Sequence, residues 1–244
     1  MHHLIVDTLD PAQTEMAIEG EQARHAIRVR RMESGEPLIL MDGAGRTAEA
    51  VIDGTDKNGP QHSWRLLVGI TRHREHPRPS PEVNILCPAP KGDLMETMID
   101  ELSQAGAASW RPLETQRTER QPKQAKMDRL ARITREAAKQ CGRPWYLELA
   151  DGVAFEDAIT LPGAVLADAG GATPTRVLAD APSETWSRGI HVLVGPEGGF
   201  SDQERSMARD AGLATVGLGP HVLRIGTASV VAASGFVMAA RESW

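Results

Sequence analysis

A chain of 244 residues with 41% hydrophobic and 25% charged residues is long enough for two domains and has a globular composition, which excludes a largely disordered protein. A net charge of −6 excludes a uniformly basic nucleic-acid binder, yet residues Arg111 to Arg143 carry +6 and the rest of the chain −12. An anionic partner is therefore expected on that stretch or on the basic run from Arg24 to Arg31.

Residues 1–72 alternate apolar and polar side chains over the short runs Pro37–Met41, Ala48–Ile52 and Trp64–Ile70. With Asp42-Gly43 and Asp53-Gly54 as turns, they predict a small, mostly β domain. Residues 73–82 hold three prolines and no periodicity, which predicts a linker. From residue 83 to 244 the pattern becomes βα. Val83–Cys87 reads as a strand and Leu94–Ala105 as a helix stopped by Gly106.

A second helix is predicted over Met127–Cys141, with Met127, Leu130, Ala131, Ala137, Ala138 and Cys141 on its apolar face. Arg129, Arg132, Arg135 and Lys139 share the opposite face. That face reads either as a solvated surface with ion pairs to Asp128 and Glu136, or as a contact to RNA phosphates.

Ile190–Gly195 predicts a buried strand. Ser201-Asp-Gln-Glu204 is a capping box at the start of a helix that Gly212 ends. Ala214–Leu218 predicts another strand. Thr227–Ala240 is uncharged and rich in small residues, so that helix must be buried within the domain or against another subunit.

Two strand-end loops carry the chemistry. Gly195-Pro-Glu-Gly-Gly199 leaves its backbone open to close approach by a flat ligand, and Leu218-Gly-Pro-His-Val-Leu-Arg224 follows the next strand in the same way. Neither is a P-loop or a dinucleotide fingerprint, which makes a nucleotide-dependent oxidoreductase a poor fit. The two cysteines, Cys87 and Cys141, are too few for a disulfide framework or a thiolate zinc site. No His/Asp/Glu cluster has metal-ligand spacing, so no metal is expected. Asp7 interrupts what would be a leader's apolar core, and no run approaches membrane-spanning length. The chain is read as soluble, unprocessed and cytoplasmic.

Val194-Gly-Pro-Glu-Gly-Gly-Phe-Ser201, Leu218-Gly-Pro with Val222-Leu-Arg224, Lys91-Gly92, Gln140-Cys-Gly-Arg143 and His25-Ala-Ile-Arg-Val-Arg-Arg-Met32 together resemble the ribosomal RNA small subunit methyltransferase E family of the SPOUT superfamily. The resemblance runs over nearly the whole chain, in family order. It implies a PUA-like β-barrel that binds RNA, followed by a knotted α/β methyltransferase domain. It also implies a homodimer and N3-methylation of a uridine in 16S ribosomal RNA, as naked RNA or small subunit, with S-adenosylmethionine as donor.

By the same resemblance the donor is held by Gly195, Pro196, Glu197, Gly198, Gly199, Leu218, Gly219 and Leu223, with Leu166 marking a third loop. Arg224 is the expected catalytic group, because a guanidinium can stabilise charge developing on a uracil carbonyl. Arg24, Arg28, Arg30, Arg31, Lys91, Arg129, Arg132 and Arg135 are the expected RNA contacts. The chain departs from the family pattern at Ile225-Gly226, where Thr-Glu is usual, at His221 in place of arginine, and after Arg120, which lacks its serine. The departure at Gly226 motivates an alternative, a non-catalytic or substrate-shifted RNA-binding paralogue.

Overall fold

The structure is a computed structural model and describes residues 2–57, 63–118 and 122–242. It divides into two compact units. One comprises the chain up to Arg78 together with Ala138–Tyr146, and the other comprises Pro79–Ala137 together with the chain from Leu147 onward. Arg120 lies outside the described residues.

The first unit contains β1 (His2–Ile5), β2 (Glu15–Ile18), α1 (Gly20–Arg24), β3 (Pro37–Met41), β4 (Arg46–Asp56) and β5 (Arg65–Glu75). Its five-stranded sheet has the order β1-β3-β4-β5-β2 and is antiparallel except for the β1–β3 pair. Strand alternation puts Leu38 and Leu40, Ala48, Ala50 and Ile52, and Leu66 and Val68 into one core with Leu4, Ala23, Ala26 and Ile27.

Two expectations are corrected here. Asp53-Gly54 is not a turn but lies within β4, where the register with β5 slips between Ile52 and Gly54. The extra residue is absorbed as a bulge, and the Asp53 carbonyl accepts the Ser34 hydroxyl at 2.9 Å. The segment expected as linker from residue 73 is in part strand, because β5 continues to Glu75 and pairs Glu75 with Arg46.

Residues 144–146 complete this unit by clamping the turn between β3 and β4. Gly45 N–H donates to the Pro144 carbonyl at 2.9 Å, and Tyr146 N–H donates to the Gly43 carbonyl at 2.9 Å. A Cβ on Gly43 would strike the Tyr146 ring, and one on Gly45 would strike the Trp145 ring. Both glycines have positive φ, so the turn needs glycine on two counts.

The second unit contains β6 (Val83–Cys87), α2 (Leu94–Ala105), β7 (Ser109–Glu114), α3 (Gln124–Cys141, whose last turn is grouped with the first unit), β8 (Glu148–Leu149), β9 (Val153–Ala154), α4 (Phe155–Ala158), β10 (Ala164–Ala172), α5 (Pro174–Ala179), β11 (Ile190–Val194), α6 (Asp202–Asp210), β12 (Ala214–Val216) and α7 (Ile225–Glu242). The sheet has the order β12-β10-β11-β6-β7-β8, with β9 also pairing β7, and every pair is parallel.

Period-2 alternation explains why strands this apolar are needed, since both faces of the sheet are covered. Val83, Ile85 and Cys87 of β6, Val165 of β10, and Ile190, Val192 and Val194 of β11 enter one core with α2 and α7. Leu86, Leu166 and Leu193 point the other way, into a core with Phe155, Phe200 and Ala208.

Helix α3 corrects the expected apolar face. Ala131 and Cys141 are exposed, and Thr134 is buried beside Leu130, Ala137 and Ala138. Thr134 tolerates burial because its hydroxyl donates to the Ala131 carbonyl at 3.0 Å. Helix α7 packs on α2, α5, β6 and β11. Its alanines and Ser229 let it lie close to the sheet, and the buried Ser229 hydroxyl donates to the Ile225 carbonyl at 2.8 Å.

Candidate active site

The two glycine-proline loops meet at the C-terminal ends of β11 and β12, and the end of β10 joins them. Together they enclose a cavity of about 620 Å³, lined by residues 167–170, 194–200, 205, 218–223 and 228. Strand C-termini are where open α/β sheets hold ligands, and the volume lies in the usual range for small-molecule sites.

Of the expected cofactor residues, Gly195, Pro196, Glu197, Gly198, Gly199, Leu218, Gly219 and Leu223 all line this cavity. Leu166 does not. It is 4% exposed and packs in the core containing Phe200, one residue short of the end of β10 that opens into the cavity. The third wall comes from Ala167, Asp168, Ala169 and Gly170 instead. These residues bulge outward where the β10–β12 register jumps from Ala167 to Ala172.

Local sequence explains how the first loop holds its shape. Gly199 N–H donates to the Pro196 carbonyl at 2.8 Å, and Gly199 has φ +67°. Phe200 then turns back into the core, and a Cβ on Gly195 would meet the Phe200 ring and backbone at 3.2 Å. The predicted capping box follows. Ser201 Oγ accepts from Glu204 N–H at 3.1 Å, and Glu204 Oε2 accepts from Ser201 N–H at 2.7 Å. Gly217 needs its missing side chain because a Cβ there would lie 2.6 Å from the Gly171 carbonyl, so the second and third loops touch backbone to backbone.

The charged side chains on the cavity wall are Asp168, Glu197 and Arg205. Arg205 is bound to Asp168, with Nε to Oδ2 at 2.7 Å and Nη2 to Oδ1 at 3.4 Å. That hydrogen bond is the main reason the guanidinium is held above its ordinary pKa, against the opposing effect of burial. Sequence reasoning missed both residues. The glycine pair Gly170-Gly171 beyond a short apolar run was the available signal for a third loop.

Arg224 is exposed just before α7, between the wall residues Leu223 and Ala228. Its carbonyl accepts from Ala228 N–H at 2.8 Å, and its side chain has no partner among the described residues. Val222 beside it is 97% exposed, so an apolar side chain stands wholly in solvent at the cavity mouth. Gly226 occupies the first turn of α7, where a Cβ would make ordinary contact with Met98 Cβ at 3.8 Å.

The expected RNA contacts fall into three groups. Arg24, Arg28, Arg30 and Arg31 are all exposed around a π-helical turn over His25–Val29, while Ala23, Ala26 and Ile27 anchor it in the core of the first unit. Arg31 has φ +53°, the one positive φ outside glycine among the described residues. Lys91 is exposed beyond the end of β6, the strand next to β11. On α3, Arg129, Arg132 and Arg135 are placed along the helix as expected, but Arg129 is paired to Glu96 of α2 at 2.7 Å. Lys126 also binds Glu96, and its hydrogen bond, with the charge of Arg129 added, holds that carboxyl below the usual range.

A family model described as an RNA methyltransferase domain matches residues 77–237, and one described as an RNA methyltransferase PUA domain matches residues 18–61. A protein of Mycobacterium bovis named ribosomal RNA small subunit methyltransferase E is 31% identical over 93% of this chain and 87% of its own length. This chain belongs to the ribosomal RNA small subunit methyltransferase E family. A Synechocystis member is 28% identical over 95% of this chain and 75% of its own.

Among solved structures, a Legionella pneumophila protein assigned as a methyltransferase, in complex with bound S-adenosylmethionine, is 27% identical with a TM-score of 0.76 over 97% of each chain. A probable rRNA-methyltransferase of Porphyromonas gingivalis is 25% identical with a TM-score of 0.80 over the whole of both chains. The family's architecture, a PUA-like sheet followed by a SPOUT-type parallel sheet domain, is the architecture described above. Among the described residues no helix is long and apolar enough to cross a membrane.

Proposed function

We propose that this chain transfers a methyl group from S-adenosylmethionine to N3 of a uridine in 16S ribosomal RNA, acting in the cytoplasm as a homodimer. The observation that carries this reading is the convergence of three strand-end loops, two of them built on Gly-Pro, on one cavity in a member of this family. Its walls suit an adenosyl ligand. Backbone groups are accessible at Gly195, Gly198, Gly199 and Gly219, and Val194, Leu218, Leu223 and Ala228 supply apolar surface. The Legionella relative solved with S-adenosylmethionine supports the same ligand.

When bound, the donor would supply an electrophilic methyl group on a sulfonium, whose sulfur keeps the bonding pair and departs as a neutral thioether. The protein's part is to orient the two reactants in line and to make a weak nucleophile competent. Uracil N3 gains its electron pair only as its proton departs to solvent, and negative charge then builds on the flanking carbonyl oxygens. Arg224, exposed and next in sequence to the wall residue Leu223, is the group we assign to stabilise that charge. Arg24, Arg28, Arg30, Arg31 and Lys91 are exposed and are read as phosphate contacts.

The test is transfer of labelled methyl to small-subunit RNA and to assembled subunits, with the product nucleoside identified by mass spectrometry. The expected product is N3-methyluridine. Arg224→Ala should bind the donor as the wild type does and turn over about 100- to 1000-fold more slowly. Donor binding without transfer to either substrate would overturn the assignment, and RNA binding without donor binding would favour the non-catalytic or substrate-shifted RNA-binding paralogue.

A further inference from the structure

We propose that Arg117 is a positioning residue for the methyl-donor loop, a strap from the end of β7 that fixes the peptide planes of Gly198 and Gly199. The inference rests on the donor reading above for its effect on activity.

The turn after β7 is closed by its own hydrogen bonds. Thr118 N–H donates to the Thr115 carbonyl at 3.1 Å, and Thr115 N–H donates to Thr118 Oγ1 at 3.0 Å. From this turn three groups reach the donor loop and the start of α6. Gln116 N–H donates to Glu204 Oε1 at 2.9 Å, and Gln116 Nε2 donates to Gln203 Oε1 at 2.9 Å. Arg117 Nη1 donates to the carbonyls of both Gly198 and Gly199.

The anchor is firm because Glu204 is 2% exposed and its other oxygen is already committed to Ser201 N–H. The reach is not local. In the sheet β6 stands between β7 and β11, so the turn has to bridge the end of β6 to touch the loop that follows β11.

Two consecutive glycines are the segment of the cavity wall with most backbone freedom to lose. Their carbonyls are where that freedom can be removed without filling the cavity, and a charged donor makes the stronger kind of hydrogen bond there. A Cβ on Gly198 would meet Arg117 Cδ at 3.3 Å and Nη1 at 3.4 Å. Arg117 therefore occupies the space a side chain at residue 198 would take. Its own side chain is exposed, so removing it opens no hole in the core.

The experiment compares the full-length wild type, Arg117→Ala and Arg117→Lys by calorimetric titration with S-adenosylmethionine, by methylation kinetics, and by hydrogen exchange of residues 195–201 without donor. Arg117→Ala should weaken donor binding about tenfold, raise the KM for donor more than it lowers kcat, and speed exchange across the loop. Arg117→Lys should recover part of each, since an ammonium can donate to the same carbonyls. Donor binding and exchange both equal to the wild type, or a fall in kcat alone, would overturn the proposal. If the wild type itself bound no donor, the donor reading would fall, and the exchange data would still decide whether Arg117 orders the loop.

Discussion

At the scale of single residues, the informative positions are those where burial and chemistry pull apart. Cys87 of β6 is fully buried beside α2. Desolvation pushes its thiol up to about 11, although hydrogen bonds with Ser229 and Trp110 act the other way. Cys141 is exposed. At pH 8 a maleimide should therefore label one thiol in the native chain and two after denaturation, read by intact mass. The folded pKa of Cys87 lies above its unfolded value. Its contribution to stability is thus complete below about pH 9 and is lost as pH rises toward 11, where alkaline unfolding should show it.

Gly226 is a second such residue. A glycine in the first turn of α7 loses backbone entropy and leaves the helix's positive end without a carboxylate, and the contact with Met98 leaves room for a side chain. Gly226→Glu should stabilise the fold by about 1 kcal/mol in urea unfolding. It should also raise turnover, if a carboxylate beside Arg224 assists the reaction. Unchanged turnover with the gain in stability would mean that Arg224 works alone in this chain.

At the scale of elements, α7 has two faces. Ala228, Ser229, Ala232, Ala233, Phe236, Ala239 and Ala240 are buried against the sheet and its neighbouring helices. Val231 is 38% and Met238 63% exposed, seven residues apart on the opposite side, and they give that side an apolar stripe. A second copy of the chain is the expected cover for these two side chains. Val231→Glu combined with Met238→Glu should convert a dimer to a monomer in sedimentation equilibrium while leaving the circular dichroism spectrum unchanged. A wild type that sediments as a monomer would rule the dimer out.

At the scale of the whole molecule, charge is separated from the fold. The chain is acidic overall, yet Arg24, Arg28, Arg30 and Arg31 all project from one turn anchored by the buried Ala23, Ala26 and Ile27, with Val29 exposed among them. Removing a side chain that neutralises one phosphate should lower the slope of log affinity against log salt by roughly 0.7 to 0.9. Arg28→Ala with Arg30→Ala should flatten that slope by about two such steps in filter-binding assays with small-subunit RNA. A drop in affinity with an unchanged slope would assign them a role other than phosphate binding.

The sequence by itself determined the elements whose cause is local. The strand Val83–Cys87, the helix Leu94–Ala105 with Gly106 as its left-handed stop, and the capping box of Ser201 and Glu204 all follow from periodicity and backbone hydrogen bonding within a few residues. The two Gly-Pro loops were legible for the same reason, since glycine and proline dictate local backbone wherever they stand. Only the tertiary structure decided what depends on neighbours distant in sequence. Alternation inside β10 could not say which face each residue took until α4 and α6 were packed on one side and α7 on the other, so Leu166 went to one core and Val165 to the other, while Asp168 reached the cavity because the register with β12 breaks after Ala167. Thr134 displaced Ala131 from the buried face of α3, and Asp53-Gly54 became a bulge because β5 was there to pair with. The contacts of Arg117 with the Gly198 and Gly199 carbonyls and of Arg205 with Asp168 were not legible, although Arg205 also has a local partner in Asp202, because only the order of strands in the sheet brings those groups within reach.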